Sequence, residues 1–325
     1  MTARENAIEI IHFGRPERVV AGPPVHVIAY HGCNHEGFDG GGHDSPVGTR
    51  WTDIWGTVWY KRQEGVMAFP EAHPLAHPDR LRSYRWPDPN DPRVCGAIYT
   101  QAQHRPADSS FFTGSHRDTL WEKAYMLVGM ENMMAAFYEA PDFAREVLHH
   151  IMDFQLGIAE HYLSVGVEMV NMTDDLGTQT GPLLSPAIVE RFLRPEYARL
   201  MSLYKQHGVL VNFHSCGSIE AFLPMFMDLG VDILNPVQAT ANDLDMVRSL
   251  TQGRIALQGA VATQTLMDGP PDRIRAEVRF RLWQLGRRGG YFCAPDQYLP
   301  FPQTHIDAFY SALDEYGRYP LSPPD

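Results

Sequence analysis

The feature that most constrains the fold is an alternation of short apolar runs with longer amphipathic segments, from about residue 90 to the end. The alternation predicts βαβ units and a parallel sheet, because parallel strands need a crossover connection between them. The runs are almost continuously apolar, as expected for strands whose two faces are both covered. The predicted strands are Val94–Thr100, Val167–Met172, Val209–Phe213, Val231–Leu234, Ile255–Leu257 and Tyr291–Cys293.

The helical segments have recognisable ends. Pro141-Asp142 opens a helix that runs to about Ser164, and Ser185-Pro186 caps another that reaches His207-Gly208. The remaining helices are predicted over Arg4–Phe13, Trp121–Tyr138, Ile219–Leu229, Asp243–Leu250, Pro270–Gly289 and Gln303–Tyr316.

Strand counting indicates a (β/α)8 TIM barrel. Six strands lie between Val94 and Cys293, and the preceding segment offers two more, from Val25–Tyr30 and from a hairpin-like pattern over Trp51–Phe69. A doubly wound open sheet is the alternative, but no Gly-x-Gly-x-x-Gly turn follows any strand. We expect one domain over residues 1–325, with an elaborated N-terminal extension at 1–90 and regular βα units at 91–325.

Composition narrows the class of partner. A net charge of −12 argues against a nucleic-acid partner, because neutralising phosphates requires a basic face. The sequence shows neither a signal peptide nor a membrane-spanning apolar run, so we expect a cytoplasmic protein with no membrane contact. Its four cysteines are far apart in sequence and are expected to be core residues or ligands rather than disulfides.

Polar side chains follow five successive predicted strands. In (β/α)8 barrels this edge of the sheet carries the active site. Together these side chains predict one functional face. They are Thr173, Asp174, Asp175, His214, Cys216, Asn235, Gln238, Gln258, Cys293, Asp296 and Gln297.

Two of these residues form a metal-binding pattern. His214 and Cys216 are two apart on an extended strand and therefore point the same way, and imidazole with thiolate is a zinc pair. Cys293 is the best third ligand, which leaves a fourth position open as in catalytic zinc sites. Asp296 is the alternative to Cys293. Both cysteines could instead be small core residues, since free cysteine is often buried.

Other interpretations stay open for several residues. Asp174 or Asp175 could cap a turn, and Asn235-Pro236 could be only a turn. A second metal cluster is conceivable at His31-x-Cys33-x-His35, although its glycine-rich surroundings favour a lid whose histidines form hydrogen bonds.

From about Asn6 to the end the sequence resembles the uroporphyrinogen decarboxylase-like superfamily, which contains the haem-pathway decarboxylase and corrinoid-linked methyltransferases. The resemblance implies a (β/α)8 barrel. It is carried by Asp174–Gln179, Gly181–Pro182, Ser185–Pro186, His214–Gly217, Asp232–Gln238, Leu257–Gly259, and Gly289–Tyr291 into Ala294–Pro295.

Within that superfamily, the His-x-Cys…Cys pattern is similar to that of zinc methyltransferases that act with a corrinoid protein. The decarboxylase's arginine-rich N-terminal motif has only Lys61-Arg62 near its place. The resemblance implies that His214, Cys216 and Cys293 are zinc ligands. Alignment through 296–300 would place the third ligand on Asp296 instead.

We therefore expect a zinc-dependent methyltransferase that passes a methyl group between a small methylated substrate or thiol and a corrinoid protein. Asp174 and His214 are the predicted catalytic residues. The predicted substrate-binding residues are Asp175, Gln179, Asn235, Gln238, Gln258, Asp296 and Gln297.

Two other functions remain open at this stage. One is a metal-free decarboxylase of a small aromatic or tetrapyrrole carboxylate that uses Asp174 and His214. The other is a protein that only binds a corrinoid or tetrapyrrole. The aromatic side chains of the extension could form a cover, a homodimer face or part of the core.

Overall fold

The computed structural model describes residues 1–107 and 110–324, which contain ten β-strands and twelve α-helices. The strands are β1 Val25–Ile28, β2 Arg50–Thr52, β3 Val58–Tyr60, β4 Phe69–Ala72, β5 Phe111–His116, β6 Met169–Thr173, β7 Leu210–His214, β8 Ile233–Val237, β9 Ala256–Val261 and β10 Tyr291–Pro295. The helices are α1 Ala3–Ile11, α2 Pro92–Ala102, α3 Trp121–Val128, α4 Met130–Glu139, α5 Pro141–Ser164, α6 Pro186–Ile188, α7 Arg194–Gln206, α8 Leu223–Leu229, α9 Leu244–Thr251, α10 Thr263–Asp268, α11 Pro271–Arg281 and α12 Gln303–Tyr316.

Seven of these strands form a curled parallel sheet in the order β1-β5-β6-β7-β8-β9-β10. The order follows the sequence without a reversal, so the doubly wound alternative is excluded. The sheet has seven strands among the described residues rather than the predicted eight. At the open side, the backbone N–H of Cys293 on β10 donates to the carbonyl of Val20, in the segment that leads to β1.

The two faces of the sheet pack against different parts of the chain. Val170, Val211 and Leu257 belong to the large core shared with the surrounding helices. The neighbouring positions Met169 and Ala256 point inward, as the two-residue period of a strand requires. The inward residues therefore line the interior of the curl.

Helix α1 covers the end of the sheet where the strands begin. Its residues Ala7, Ile10 and Ile11 are buried in one cluster with the first inward residues of the strands. Those strand residues are Phe111, Met169, Ile233, Ala256 and Phe292. Since this end is filled with apolar side chains, the opposite edge is the one open to ligands.

The predicted strand Val94–Thr100 is wrong: this segment lies in helix α2. Asp91 caps the helix by accepting a hydrogen bond from the backbone of Arg93, and Pro92 occupies the first turn, where its missing N–H costs nothing. The strand at this place in the sheet is instead β5, Phe111–His116, which the sequence pattern did not reveal.

The N-terminal extension folds against the barrel. Strands β2, β3 and β4 form a separate antiparallel sheet. Trp51, Trp55 and Trp59 are buried within the chain, so core packing accounts for these three side chains. Phe69 at the edge of this sheet is 47% exposed.

Most predicted helices are confirmed, and two of them have the expected bounds, Pro141–Ser164 and Gln303–Tyr316. The predicted helix Trp121–Tyr138 is divided at Gly129, whose φ of 92° lies outside the helical region. In the part of the chain that the structure describes, no helix combines the length and the apolar character needed to cross a bilayer.

Candidate active site

A cleft of about 660 Å³ lies at the carboxyl edge of the parallel sheet. One wall is apolar and comes from the extension and from helix α3. It consists of Trp59, Met67, Ala68, Phe69, Pro70, Tyr125 and Met126. The other wall carries polar side chains near the ends of β5, β6, β7 and β10. These are Ser115, Arg117, Asp118, Glu122, Asn171, Thr173, Asp175, His214, Cys216 and Gln297, with Asn34 from the extension.

Three of these polar side chains bring different donor atoms together. The ligand atoms of Asp175, His214 and Cys216 all lie within 4.8 Å of one another. The Cys216 Sγ is 3.3 Å from the His214 Nε2, and that Nε2 is 3.7 Å from the Asp175 Oδ1. Strand β7 supplies the histidine, whereas the cysteine, which was predicted on the same strand, lies in the turn after it.

Hydrogen bonds fix the orientation of these groups. The Nδ1–H of His214 donates to the Asn235 Oδ1 at 3.0 Å, which leaves the Nε2 lone pair facing Cys216 and Asp175. The amide of Gln297 donates to the Cys216 Sγ at 2.8 Å. The backbone N–H of Cys216 donates to the Asp175 Oδ1 at 2.8 Å, so the acid is tied to the turn.

Burial, followed by the nearby Asp175 carboxylate, raises the pKa of the Cys216 thiol. The thiol therefore keeps its proton unless a cation compensates the negative charge. A carboxylate, an imidazole nitrogen and a thiol in one place form a donor set suited to zinc.

A tetrahedral zinc ion requires its ligand atoms to lie at a defined distance from one another. Bonds of about 2.0–2.3 Å at tetrahedral angles place neighbouring ligand atoms about 3.4–3.6 Å apart. The two distances from His214 Nε2, 3.3 Å and 3.7 Å, fall close to that range. The residues present therefore fit a zinc ion, with Asp175, His214 and Cys216 as the ligands.

Cys293 and Asp296, the two alternative third ligands, are not brought to this group. Cys293 is fully buried in the core between the sheet and the helices, because its side chain alternates with the inward-facing Phe292. Burial raises the pKa of its thiol to about 12. The Asp296 carboxylate accepts hydrogen bonds from the backbone N–H groups of Ala260 and Ala239, at 2.8 Å and 3.3 Å. The expectation that Cys293 or Asp296 lies beside His214 and Cys216 is corrected: the third side chain in that place is Asp175.

Asp174, predicted to be catalytic, is fully buried and faces away from the cleft. Its carboxylate accepts hydrogen bonds from the backbone N–H groups of Leu120, Trp121 and Glu122 at 2.7–3.0 Å and from the Tyr197 hydroxyl at 2.6 Å. Burial raises the pKa of Asp174 to about 7, although these four donors favour the charged form. The arrangement caps helix α3 from a distance, so the structure corrects the catalytic assignment to a structural one.

Of the seven predicted substrate-binding residues, Asp175 and Gln297 line the cleft. Gln238 accepts a hydrogen bond from the backbone of Gly217 and another from Gln179. Gln258 donates to the Ala21 carbonyl at 3.1 Å. Gln179, Gln238 and Gln258 therefore form hydrogen bonds with the backbone or with one another and do not line the cleft. Asn235 does not line the cleft either, and it contacts the site through its hydrogen bond to His214.

Sequence reasoning missed the acidic and basic groups that follow β5. Asp118 and Arg117 line the cleft, and Glu122 is the second residue of α3. Burial and the neighbouring Asp118, Asp174 and Asp175 carboxylates raise the pKa of Glu122 well above its usual range. These surroundings therefore favour the neutral form of Glu122. The polar residues directly after Phe111–His116 could have indicated Arg117, Asp118 and Glu122, but the strand was predicted at Val94–Thr100 instead.

The His31-x-Cys33-x-His35 segment does not gather its side chains around one point. The Nε2 of His35 forms a short hydrogen bond with the Asp118 carboxylate, and the His35 ring stacks on Trp59. The Cys33 thiol contacts the Ser115 carbonyl, and the His31 ring stacks on Phe38. The histidines serve hydrogen bonding and packing, in line with the interpretation favoured from the sequence.

Comparison with known proteins agrees with this architecture. The family model for uroporphyrinogen decarboxylase matches residues 57–316. The chain belongs to the uroporphyrinogen decarboxylase family. Membership confirms the resemblance stated from the motifs around Asp174–Gln179 and His214–Gly217.

One solved structure shares the fold at low sequence identity, and a second one is less similar. A methyltransferase from Methanosarcina mazei is 17% identical, with a TM-score of 0.68 over 97% of this chain and 99% of the other. A B12-independent methionine synthase from Shewanella sp. W3-18-1 is 9% identical, with a TM-score of 0.47 over 68% of this chain and 64% of the other. No curated protein matches the sequence significantly.

Proposed function

We propose that this protein is a zinc-dependent methyltransferase that passes a methyl group between a small methylated substrate or thiol and a corrinoid carried by a partner protein. The observation that carries the proposal is the convergence of Asp175, His214 and Cys216 at the edge of an open cleft. Three protein donors leave one zinc position for substrate. When bound there, zinc lowers the pKa of a thiol or polarises an oxygen at neutral pH.

The surrounding residues supply the remaining chemistry. Gln297 donates to the Cys216 sulfur and so stabilises its thiolate form. Glu122 lies on the same cleft wall, and burial raises its pKa, which suits its carboxyl group to give a proton to a substrate oxygen or sulfur when the methyl group leaves. Trp59 and Met126 form the apolar wall opposite, which excludes water from the transferred methyl group.

The rim of the cleft supports the proposed corrinoid partner. Phe69 lines the cleft and is 47% exposed, and Tyr298 and Leu299, directly after Gln297, are 66% and 47% exposed. Exposed apolar side chains at the mouth of a cleft are typical of a surface that receives another molecule. They would contact the corrinoid protein while the macrocycle faces the cleft.

Metal content tests the site directly. Protein purified without chelator is expected to contain stoichiometric zinc, which is lost in Asp175→Asn and Cys216→Ser but retained in Cys293→Ser. Cys293→Ser is the control, because it removes a thiol from the same sheet that is fully buried in the core and lies outside the cleft. Zinc that persists in Cys216→Ser, or disappears in Cys293→Ser, would contradict the ligand assignment.

Methyl transfer tests the reaction. Free methylcob(III)alamin with a small thiol such as 2-mercaptoethanol serves as the probe, and loss of its absorbance reports demethylation. We expect turnover with zinc-loaded wild type and Cys293→Ser, and none with metal-free protein or Cys216→Ser. Equal rates with and without zinc would remove the metal from the proposal.

A metal-free decarboxylase is the second candidate, and the observation in its favour is that Arg117 and Glu122, whose pKa is raised by burial, share the cleft. An arginine can hold a carboxylate, and a carboxylic acid can protonate the carbon left after loss of CO2. Asp174 faces away, so Glu122 would act with His214 instead. This candidate predicts release of CO2 from a small aromatic acid by the Cys216→Ser/Cys293→Ser double variant, unaffected by chelator.

A further inference from the structure

Three asparagine side chains form a hydrogen-bonded chain that ends on His214. The His214 Nδ1–H donates to the Asn235 Oδ1 at 3.0 Å, the Asn235 Nδ2 donates to the Asn212 Oδ1 at 2.8 Å, and the Asn212 Nδ2 donates to the Asn171 Oδ1 at 3.0 Å. Asn171 and Asn212 are register partners on β6 and β7, and Asn235 is the partner of His214 on β8. We call Asn171, Asn212 and Asn235 the asparagine chain.

Every donor in the asparagine chain points away from His214, and this direction decides which ring nitrogen of His214 carries the proton. With the amides as observed, Asn235 presents an oxygen and His214 must carry its proton on Nδ1. If all three amides were turned over, Asn235 would present its NH2 group and the proton would move to Nε2. That proton would then lie between His214, Cys216 and Asp175 and would block binding of a cation by the nitrogen.

The electrostatics of the cleft favour the observed direction. Asn171 lines the cleft, and its Oδ1 is occupied by Asn212, so its NH2 group is the end that is left to face outward. The same cleft carries the carboxylates of Asp118 and Asp175. An N–H dipole is stabilised by nearby negative charge, whereas a carbonyl oxygen in that place would be repelled.

We propose that Asn212 and Asn171 are positioning residues for the metal site: through Asn235 they hold His214 with its proton on Nδ1 and thereby set the affinity of Asp175, His214 and Cys216 for zinc. The proposal rests on the proposed function in so far as zinc is the ion. The part that concerns the tautomer of His214 is tested on the metal-free protein and does not depend on which ion binds. Partners that lie behind a metal-binding histidine fix its tautomer and raise its basicity.

Substitutions at Asn235 and Asn212 separate direct from relayed effects. Asn235→Leu removes the acceptor and is expected to weaken zinc binding about 10- to 100-fold. Asn235→Asp keeps an acceptor oxygen and is expected to restore the affinity to that of wild type or better. Asn212→Leu does not touch His214, yet it leaves Asn235 free to turn over, and we expect a loss of about threefold to tenfold.

Gln258→Leu is the matched control. Gln258 is also an amide side chain on a barrel strand, β9, but it donates to the Ala21 carbonyl and has no bond to the asparagine chain. It is expected to bind zinc as wild type does. If Asn212→Leu does not fold, Asn171→Ala interrupts the same chain at the half-buried position on the cleft.

Two measurements complete the test: zinc affinity by competition with a chromogenic chelator, and the tautomer of His214 by NMR of the metal-free protein labelled with ¹⁵N-histidine. We expect an Nδ1-protonated ring in wild type and Gln258→Leu, and a mixed or Nε2-protonated ring in Asn212→Leu. If Asn212→Leu and Asn171→Ala match Gln258→Leu in both tautomer and affinity, the proposal is overturned. Wild type that binds no zinc but shows the tautomer change would refute the zinc function while leaving the role of the asparagine chain in place.

Discussion

Replacement of Asp174 distinguishes a structural carboxylate from a catalytic one. Its Oδ2 accepts hydrogen bonds from the backbone of Leu120 and Trp121 and from the Tyr197 hydroxyl, and its Oδ1 accepts one from the backbone of Glu122. In Asp174→Asn the amide oxygen can keep the first three bonds. The NH2 group then opposes the N–H of Glu122, and neither has an acceptor.

The expected cost follows from these contacts. Each buried donor without a partner costs about 1–3 kcal/mol, and loss of a negative charge at a helix N-terminus costs about 0.3–1 kcal/mol more. With two such donors, we expect Asp174→Asn to lower the free energy of unfolding by at least about 2–3 kcal/mol. Asp174→Ala leaves all four donors unpaired and is expected to cost about 4 kcal/mol or more.

Urea unfolding at pH 8, followed by circular dichroism, measures both changes. Asp175→Asn is the matched control, because the next carboxylate along the chain has a 41% exposed side chain and points into the cleft. We expect it to change stability by less than about 1 kcal/mol while losing zinc. The reasoning is refuted if Asp174→Asn unfolds like wild type but loses zinc or methyl transfer, since Asp174 would then act in the chemistry.

Three further predictions concern the surroundings of the site. Gly217 has φ +78°, and a Cβ there would lie 2.4 Å from the backbone of Gly177. Gly217→Ala should therefore lower the free energy of unfolding by about 2 kcal/mol or more and displace Cys216. The control Gly253→Ala, with φ +75° and open space around the Cβ, should lower it by about 1 kcal/mol in the same denaturation assay. Burial lowers the pKa of His116 to about 4 from 6.5, so the stability held by its neutral ring is complete above pH 6.5 and falls by at most about 3 kcal/mol as the pH drops through 4. Urea midpoints measured across that range should show this loss in wild type and not in His116→Gln; parallel curves would contradict it. Ile10→Ala should lower the free energy of unfolding by about 2–5 kcal/mol, because Ile10 is fully buried under the curled sheet. Ile8 is half-buried, so Ile8→Ala should lower it clearly less. Equal losses in the two variants would contradict the role assigned to α1.

The fold was largely predictable where local patterns and local caps agree. The helix Pro141–Ser164 begins at a proline and keeps helical spacing to its end, and its observed bounds are the predicted ones. The strand before His214 is apolar except for Asn212, and Tyr291-Phe292 lead directly into Cys293, so a strand between helices was the consistent interpretation. Such elements depend on residues a few positions apart.

The first regular strand could not be assigned in the same way. Val94–Thr100 contains Val, Ile, Tyr and Thr, which favour strands, yet the Asp91-Pro92 start and the helical placement of Val94, Cys95 and Ile98 on one buried face make it a helix. Phe111–His116 includes Gly, Ser and His and gives a weak strand signal. It becomes a strand because it pairs with β1 and β6, which are distant in sequence.

The sequence by itself determined the family, the alternation of strands and helices, and the proximity of His214 and Cys216, because residues two apart in the chain cannot be separated by more than a short distance. Only the tertiary structure decided the third member of the site. Cys293 lies on β10 and Asp175 follows β6, which are strands of the same sheet. A shift of one residue along a strand turns a side chain to the other face of the sheet. The register of β10 directs Cys293 into the core, while the turn after β6 brings Asp175 to within 3.7 Å of His214.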